Sequence, residues 1–194
     1  HGVSSALITA TARACCETIN LLQKDLPAEL LNPASILQFL NELIHSTAQE
    51  QFFMTFFVSA INKKTREITF ANAGHNCPFL YRADPEKRST RGRFQISSLA
   101  ARGSRLGYKK KGEFKNHQTQ LDPGDIILWY TDGLIECRNQ KEEEYGKRNL
   151  LKSMTEKIDA SSQEIVKHVI DNAFSFYGEK EIEDDITVVV SKIK

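Results

Sequence analysis

The chain has 194 residues, 40% of them hydrophobic and 26% charged, which fits a soluble globular protein and excludes collagen-like, coiled-coil and wholly disordered classes. Twenty-six Lys and Arg stand against 25 Asp and Glu, so the net charge of +1 lacks the basic excess of a general nucleic-acid binder. At about 150 residues per domain, residues 1–194 read as one domain, and the longest apolar run, Phe52 to Ile61, is well short of the ~20 residues a membrane span needs.

The pattern opens with a helix over Val3 to Lys24, rich in Ala, Leu and Thr and closed by Pro27. Asn32 as cap and Pro33 in the first turn start a second helix, with Ile36, Leu37, Leu40, Leu43 and Ile44 at helical spacing up to Thr47. Phe53 to Ile61 turns aromatic and β-branched and predicts a strand. Asn62-Lys63-Lys64-Thr65 predicts a turn, and Glu67 to Asn72 a returning strand. The small polar loop Asn72-Ala73-Gly74-His75-Asn76 leads to a strand over Pro78 to Arg82. Residues 83–112 show no period and predict a long, partly mobile excursion, within which Lys109-Lys110-Lys111 reads as a solvated loop rather than a cluster that attracts an acidic partner or phosphate. Glu113 to Leu121 predicts a strand, Asp122-Pro123-Gly124-Asp125 a turn, and Ile126 to Thr131 a strand apolar enough to be buried on both faces.

Two helices follow. Tyr145 to Ile158 aligns Leu150, Leu151, Met154 and Ile158. A capping box at Ser161-Ser162-Gln163-Glu164 opens a helix with Ile165, Val166, Val169, Ile170, Ala173, Phe174 and Tyr177 on one face, ended by Gly178. Ile186 to Ile193 is the last strand. Helices, strands, helices and strand in that order predict an α+β layered fold of antiparallel sheet with helices packed outside.

Candidate chemistry sits at element ends. Asp132 follows the buried strand, and Gly133 lets backbone approach a ligand closely. Asp184 and Asp185 precede the last strand; adjacent carboxylates repel unless a cation or solvent separates them, and Mg²⁺ or Mn²⁺ needs few carboxylates because it keeps waters. Each of these positions also reads as an ordinary turn former. His75 either lines a phosphate or proton-transfer site or bonds to its own loop. His1-Gly2 either presents backbone amides to an anion or is a frayed terminus. Cys15, Cys16, Cys77 and Cys137 show neither zinc spacing nor a disulfide frame and read as reduced thiols.

Read in order, Phe53-Met54-Thr55-Phe56-Phe57, Ala71-Asn72-Ala73-Gly74-His75-Asn76-Cys77-Pro78, Leu106-Gly107, Pro123-Gly124-Asp125, Tyr130-Thr131-Asp132-Gly133-Leu134-Ile135-Glu136, Tyr145-Gly146 and Asp184-Asp185-Ile186-Thr187 resemble the bacterial metal-dependent serine/threonine phosphatases of the SpoIIE/RsbU type. The resemblance covers essentially the whole chain. It implies an α+β fold, an antiparallel β-sandwich flanked by helices on both sides in αββα layers, with two Mn²⁺ or Mg²⁺ ions at one end. It implies Asp132 and Asp184 as metal ligands, Asp185 as a close neighbour or alternate ligand, and His75 and Asn76 lining the catalytic site. Of the family's first metal motif, Gly-Asp followed a few residues later by Gly-His-Gly, only His1-Gly2 is present, so Gly2 joins the expected metal set and the domain is expected to lack its first strands. Exposed sheet edges then predict a homodimer.

The function implied is attack of metal-activated water on a phosphoserine or phosphothreonine of a protein, such as an anti-anti-sigma factor whose partner switching controls transcription. An upstream sensor domain, a cytoplasmic location and no nucleic-acid partner complete the expectation, including the case of a cytoplasmic domain of a membrane-attached sensor. The contrasting reading is a non-catalytic interaction module of the same fold.

Overall fold

The computed structural model describes residues 3–22, 24–27, 30–48, 52–83, 96–180, 182 and 184–194; Gly2, an expected metal-site residue, lies outside them. The elements are α1 (Val3–Leu22), α2 (Pro33–Ala48), β1 (Phe56–Ile61), β2 (Glu67–Ala73), β3 (Phe79–Tyr81), β4 (Ile96–Ser98), β5 (His117–Gln120), β6 (Ile126–Tyr130), α3 (Asp132–Glu136), α4 (Gly146–Thr155), α5 (Ser162–Tyr177) and β7 (Val188–Lys192). They form two compact units, His1–Cys77 with Ala100–Leu121, and Pro78–Leu99 with Asp122–Lys194. No described helix is long and apolar enough to cross a membrane.

The first unit holds a three-stranded antiparallel sheet in the order β1-β2-β5, with α1 and α2. α1 buries Ile8, Ala12 and Cys15, spaced four and three apart, and α2 buries Leu37, Leu40 and Ile44; these pack with Ala71 and Ala73 of β2 and with Leu106. α2 starts as its sequence predicts, because Asn32 Oδ1 accepts the Ser35 N–H at 3.0 Å. The β1–β2 hairpin pairs Phe56 with Ala73 through Ile61 with Ile68. Its turn is built by Asn62, whose side-chain oxygen accepts the N–H groups of Lys64 and Thr65.

Two expected strands are shorter than their predicted spans. β1 begins at Phe56, and Met54 instead makes a single bridge to Leu106 through two backbone hydrogen bonds of 3.0 and 2.9 Å. β5 spans only His117–Gln120 of the predicted Glu113 to Leu121. The expected mobile excursion over 83–112 is corrected for its described part: 96–98 form β4, and Leu99, Ala101 and Leu106 are buried. These anchors have no period because each is held by a partner distant in the chain. Residues 84–95 lie outside the described set.

The second unit is a four-stranded antiparallel sheet in the order β4-β3-β6-β7. β6 is an interior strand, and Ile126, Ile127 and Leu128 are all buried, as its continuous apolar run predicts. Ile126, Leu128 and Tyr130 pack against Leu150 and Met154 of α4 and Ile165, Val169, Ala173 and Tyr177 of α5. The capping box of α5 is present: Ser161 Oγ accepts the Glu164 N–H, and the Glu164 carboxylate accepts the Ser161 N–H. Phe174 departs from the expected stripe and is 46% exposed, since the narrow buried face runs through Val169, Ala173 and Tyr177. The buried phenol of Tyr177 donates to the Leu134 carbonyl and ties α5 to α3. Arg82 and Asp125 form a 2.8 Å ion pair, and the buried Asp125 carboxylate also accepts the backbone N–H groups of Ala83 and Asp122, which fixes the turn before β6.

Candidate functional site

The end of β6 carries the first candidate ligand. Asp132 follows β6 as expected, while the alternative of an ordinary turn is corrected: it is the first residue of the short helix α3, with Thr131 as cap in extended conformation. The Thr131 side chain caps nothing in that helix because it is engaged elsewhere. Its hydroxyl donates to the Asp185 carbonyl at 3.0 Å and accepts the Thr187 N–H at 2.9 Å, while the Thr131 N–H donates to the Thr187 carbonyl at 3.1 Å. These three bonds fasten the tip of β6 to the segment entering β7.

Gly133 shows how close the approach is. A Cβ there would lie 2.6 Å from the Asp185 carbonyl oxygen and 3.1 Å from that of Asp184, so any side chain would force the two segments apart. Asp132 and the Asp184-Asp185 pair are thereby brought to one end of one sheet, all three exposed to solvent. Asp184 Oδ1 accepts the Asp185 N–H at 2.9 Å, which orients its carboxylate.

A cavity of about 390 Å³ opens beside them, lined by Gly133, Glu136, Cys137, Arg138, Glu142, Glu144 and Asp184. Two of its acids are matched by cations. Arg138 binds Glu144 at 2.8 Å and Lys180 binds Glu142 at 2.5 Å. The Lys180 hydrogen bond, then its charge, holds the Glu142 carboxyl below its ordinary range.

Among the described residues no group of three or more His, Cys, Asp or Glu side chains is placed to hold a metal ion. The side chains at this sheet end are nevertheless of one kind, exposed carboxylates. Mg²⁺ and Mn²⁺ prefer hard oxygen ligands, and Mg²⁺ is commonly held by one or two carboxylates with water and phosphate oxygens as its remaining ligands. The donor chemistry fits such an ion.

His75 and Asn76 belong to the first unit, in the loop after β2. The loop turns at Gly74, whose φ of +76° is a left-handed conformation natural to glycine. It is held by Asn72, a buried residue that the sequence reading passed over. Asn72 Oδ1 accepts the His75 N–H at 2.8 Å, and its Nδ2 donates to the carbonyls of His75 at 2.9 Å and Ala101 at 3.0 Å. The imidazole Nδ1 lies 3.2 Å from Thr55 Oγ1. An asparagine two residues before a glycine, at the end of an apolar strand, is the local signal that pointed to this role. Thr131 is the second positioning residue missed; it stood within the quoted motif, but its partners are 54 and 56 residues away.

The family model for stage II sporulation protein E (SpoIIE) matches residues 1–194. The phosphoserine phosphatase RsbU of Bacillus subtilis is 29% identical over 184 residues, 94% of this chain and 52% of RsbU, so the chain spans about half the length of that relative. The SiaA-PP2C domain of Pseudomonas aeruginosa superposes with a TM-score of 0.78 at 19% identity, covering 100% of this chain and 72% of that one. The phosphatase domain of SpoIIE from Bacillus subtilis, presoaked with Mn, gives a TM-score of 0.53 at 17% identity, covering 100% and 74%. The expected α+β fold, with antiparallel sheets and flanking helices, is borne out by this likeness. With the whole chain matched and the motifs quoted above in their places, the chain belongs to the SpoIIE family.

Proposed function

We propose that residues 1–194 act as a metal-dependent protein serine/threonine phosphatase domain. The observation that carries the reading is the seat of Gly133 against the Asp184-Asp185 backbone, which gathers the carboxylates of a hydrolase at one sheet end. The similarity to RsbU, itself named a phosphoserine phosphatase, and the Mn-presoaked SpoIIE domain support it.

In this reading Asp132 and Asp184 hold Mn²⁺ or Mg²⁺, Asp185 serves as alternate ligand, and water completes the shell. A bound ion would supply charge neutralisation for the phosphoryl oxygens and a lowered pKa for its water. The chain's own part is positioning. Thr131 fixes the Asp185 carbonyl, Gly133 permits the close packing, and the Lys180–Glu142 and Arg138–Glu144 pairs offset negative charge on the cavity wall. His75 and Asn76 contribute polar groups to the substrate from a loop fixed by Asn72. The substrate is a phosphorylated regulatory protein of the anti-anti-sigma type, and the domain works in the cytoplasm under an upstream sensor and as a homodimer.

Mn²⁺-dependent phosphate release from a phosphoserine protein tests this. Asp132→Asn should lower release on the order of a hundredfold while leaving the melting temperature nearly unchanged, because the side chain is exposed. Release that persists in Asp132→Asn removes that residue from the ligand set. Absence of release from the parent chain favours the interaction-module reading.

A further inference from the structure

A second feature of the first unit takes no part in the metal chemistry. Arg105 is exposed, yet its guanidinium is held in place: its carbon lies 3.9 Å from the centroid of the Phe53 ring and 5.5 Å from that of Tyr108. Both rings are themselves half exposed, at 51% and 53%, so the guanidinium lies at the surface. Lys109 adds a second cation, 5.9 Å from the Tyr108 centroid. Among the described residues no carboxylate pairs with Arg105, although Arg82, Arg138, Lys167 and Lys180 all have one.

The frame beneath is rigid. The antiparallel Leu106–Met54 bridge sets residue 105 opposite Thr55, from where its side chain reaches diagonally to the Phe53 ring, and the buried Asn41 side chain accepts the Gly107 N–H at 3.0 Å. The Arg105 stem crosses Gly74, where an added Cβ would lie 2.8 Å from Arg105 Cγ and 3.8 Å from Thr55 Cγ2. Thr55 is the residue whose hydroxyl meets His75 Nδ1. Arg105 and His75 therefore flank the same glycine.

A guanidinium stacked on aromatic rings keeps its N–H fork free of the stacked face and preorganised for a planar or tetrahedral oxyanion. Bidentate binding of phosphate is the chemistry that fork fits best. We infer that Arg105, stacked between Phe53 and Tyr108 and beside His75, is a recognition site for the phosphate monoester of a phosphorylated protein residue. The inference rests on the phosphatase reading, which makes a phosphorylated protein the ligand.

The test is binding to the full chain with EDTA present, so that turnover plays no part, using a phosphoserine peptide, its unphosphorylated counterpart and inorganic phosphate as probes. The phosphopeptide should bind at least tenfold more tightly than either control. Arg105→Ala should weaken it by about tenfold to a hundredfold. Arg105→Lys, which keeps the charge but loses the fork, should also weaken it, and Phe53→Leu should cost a smaller factor with an unchanged circular dichroism spectrum. Phosphopeptide affinity within twofold of the parent in Arg105→Ala overturns the inference, as does equal binding of the unphosphorylated peptide. Inorganic phosphate binding as tightly as the peptide replaces a phosphoprotein site by a free-phosphate site and also overturns it. Kinetics with Mn²⁺ separate the two readings. Release with an unchanged KM in Arg105→Ala sinks this site and leaves the phosphatase, whereas Arg105-dependent binding without any release sinks the phosphatase.

Discussion

In the first unit the loop that carries His75 is held by a buried amide, while in the second the helix start that carries Asp132 is held by a hydroxyl at the protein surface. Asn72 is 3% exposed and serves His75 from both its oxygen and its nitrogen, with a third bond to Ala101. Thr131 makes a comparable set of bonds to Asp185 and Thr187, but at a position that water reaches. The difference lies in what is left when the partner is removed. A buried donor or acceptor without its partner bears the full desolvation penalty, whereas a solvated one is satisfied by water. The His75 loop is thus built to keep one geometry. The carboxylate end of the second unit is anchored instead by bonds that water can replace. Its rigidity comes from the other end of β6, where the buried Asp125 binds Arg82 and two backbone amides.

The contrast gives a graded set of expectations. Asp125→Ala should have the largest effect, a loss of about 3–5 kcal/mol, because it leaves Arg82 and two amides without their buried acceptor. Trp129, the one tryptophan of the chain, lies in β6 and reports urea unfolding by its fluorescence. A loss under about 1 kcal/mol would show that Asp122, 4.0 Å from Arg82, takes over the pairing.

Next comes the direct comparison of the two loops. Asn72→Ala should cost about 2–3 kcal/mol and speed hydrogen exchange at the His75 amide. Thr131→Val, which removes the analogous hydroxyl, should cost about 1 kcal/mol. Equal losses in the two variants would break the distinction between the buried and the solvated anchor.

The smallest effect is expected at alkaline pH. Burial, and then the charge of Cys16, pushes the Cys15 thiol up to about 11, and burial raises Tyr145 despite the bond it makes with Ser153. The folded chain holds these protons where the unfolded chain has released them, so their contribution is complete below about pH 8.5 and declines toward pH 11. Thermal melting from pH 8 to 11 should show this decline, and Cys15→Ala should flatten part of it. An unchanged slope in that variant assigns the decline to other groups.

Much of the fold was legible because its causes are local. The Asn32 cap, the Ser161–Glu164 capping box, the Asn62 turn and the Gly178 stop are each made by residues within four positions of one another. The apolar run of β6 announced its burial directly. The shortened β1 and β5 were not legible, because a strand ends where its pairing ends, and neither the aromatic run before Phe56 nor the mixed polar run before His117 marks that point. Nor was Phe174, since helical spacing marks a stripe without fixing how wide the neighbouring surface is. The candidate site divides in the same way. The order of the Gly-His-Asn, Thr-Asp-Gly-Leu and Asp-Asp-Ile-Thr segments pointed to Asp132 and Asp184, but the contacts that join their segments, at Thr131 and Gly133, act across the fold.

By itself the sequence determined most element types, α3 and β4 excepted, together with the main turns and caps and the family, since hydrogen bonding and periodicity within a few residues specify them. Only the tertiary structure decided which distant residues meet. Thr131 reaches Asp185 across 54 positions, Asn72 reaches Ala101 across 29, and Asn41 reaches Gly107 across 66. The stacking of Arg105 on Phe53 belongs to the same class. These pairings follow from how helices and strands pack to bury apolar faces, and no local pattern encodes the partner a buried polar group will find.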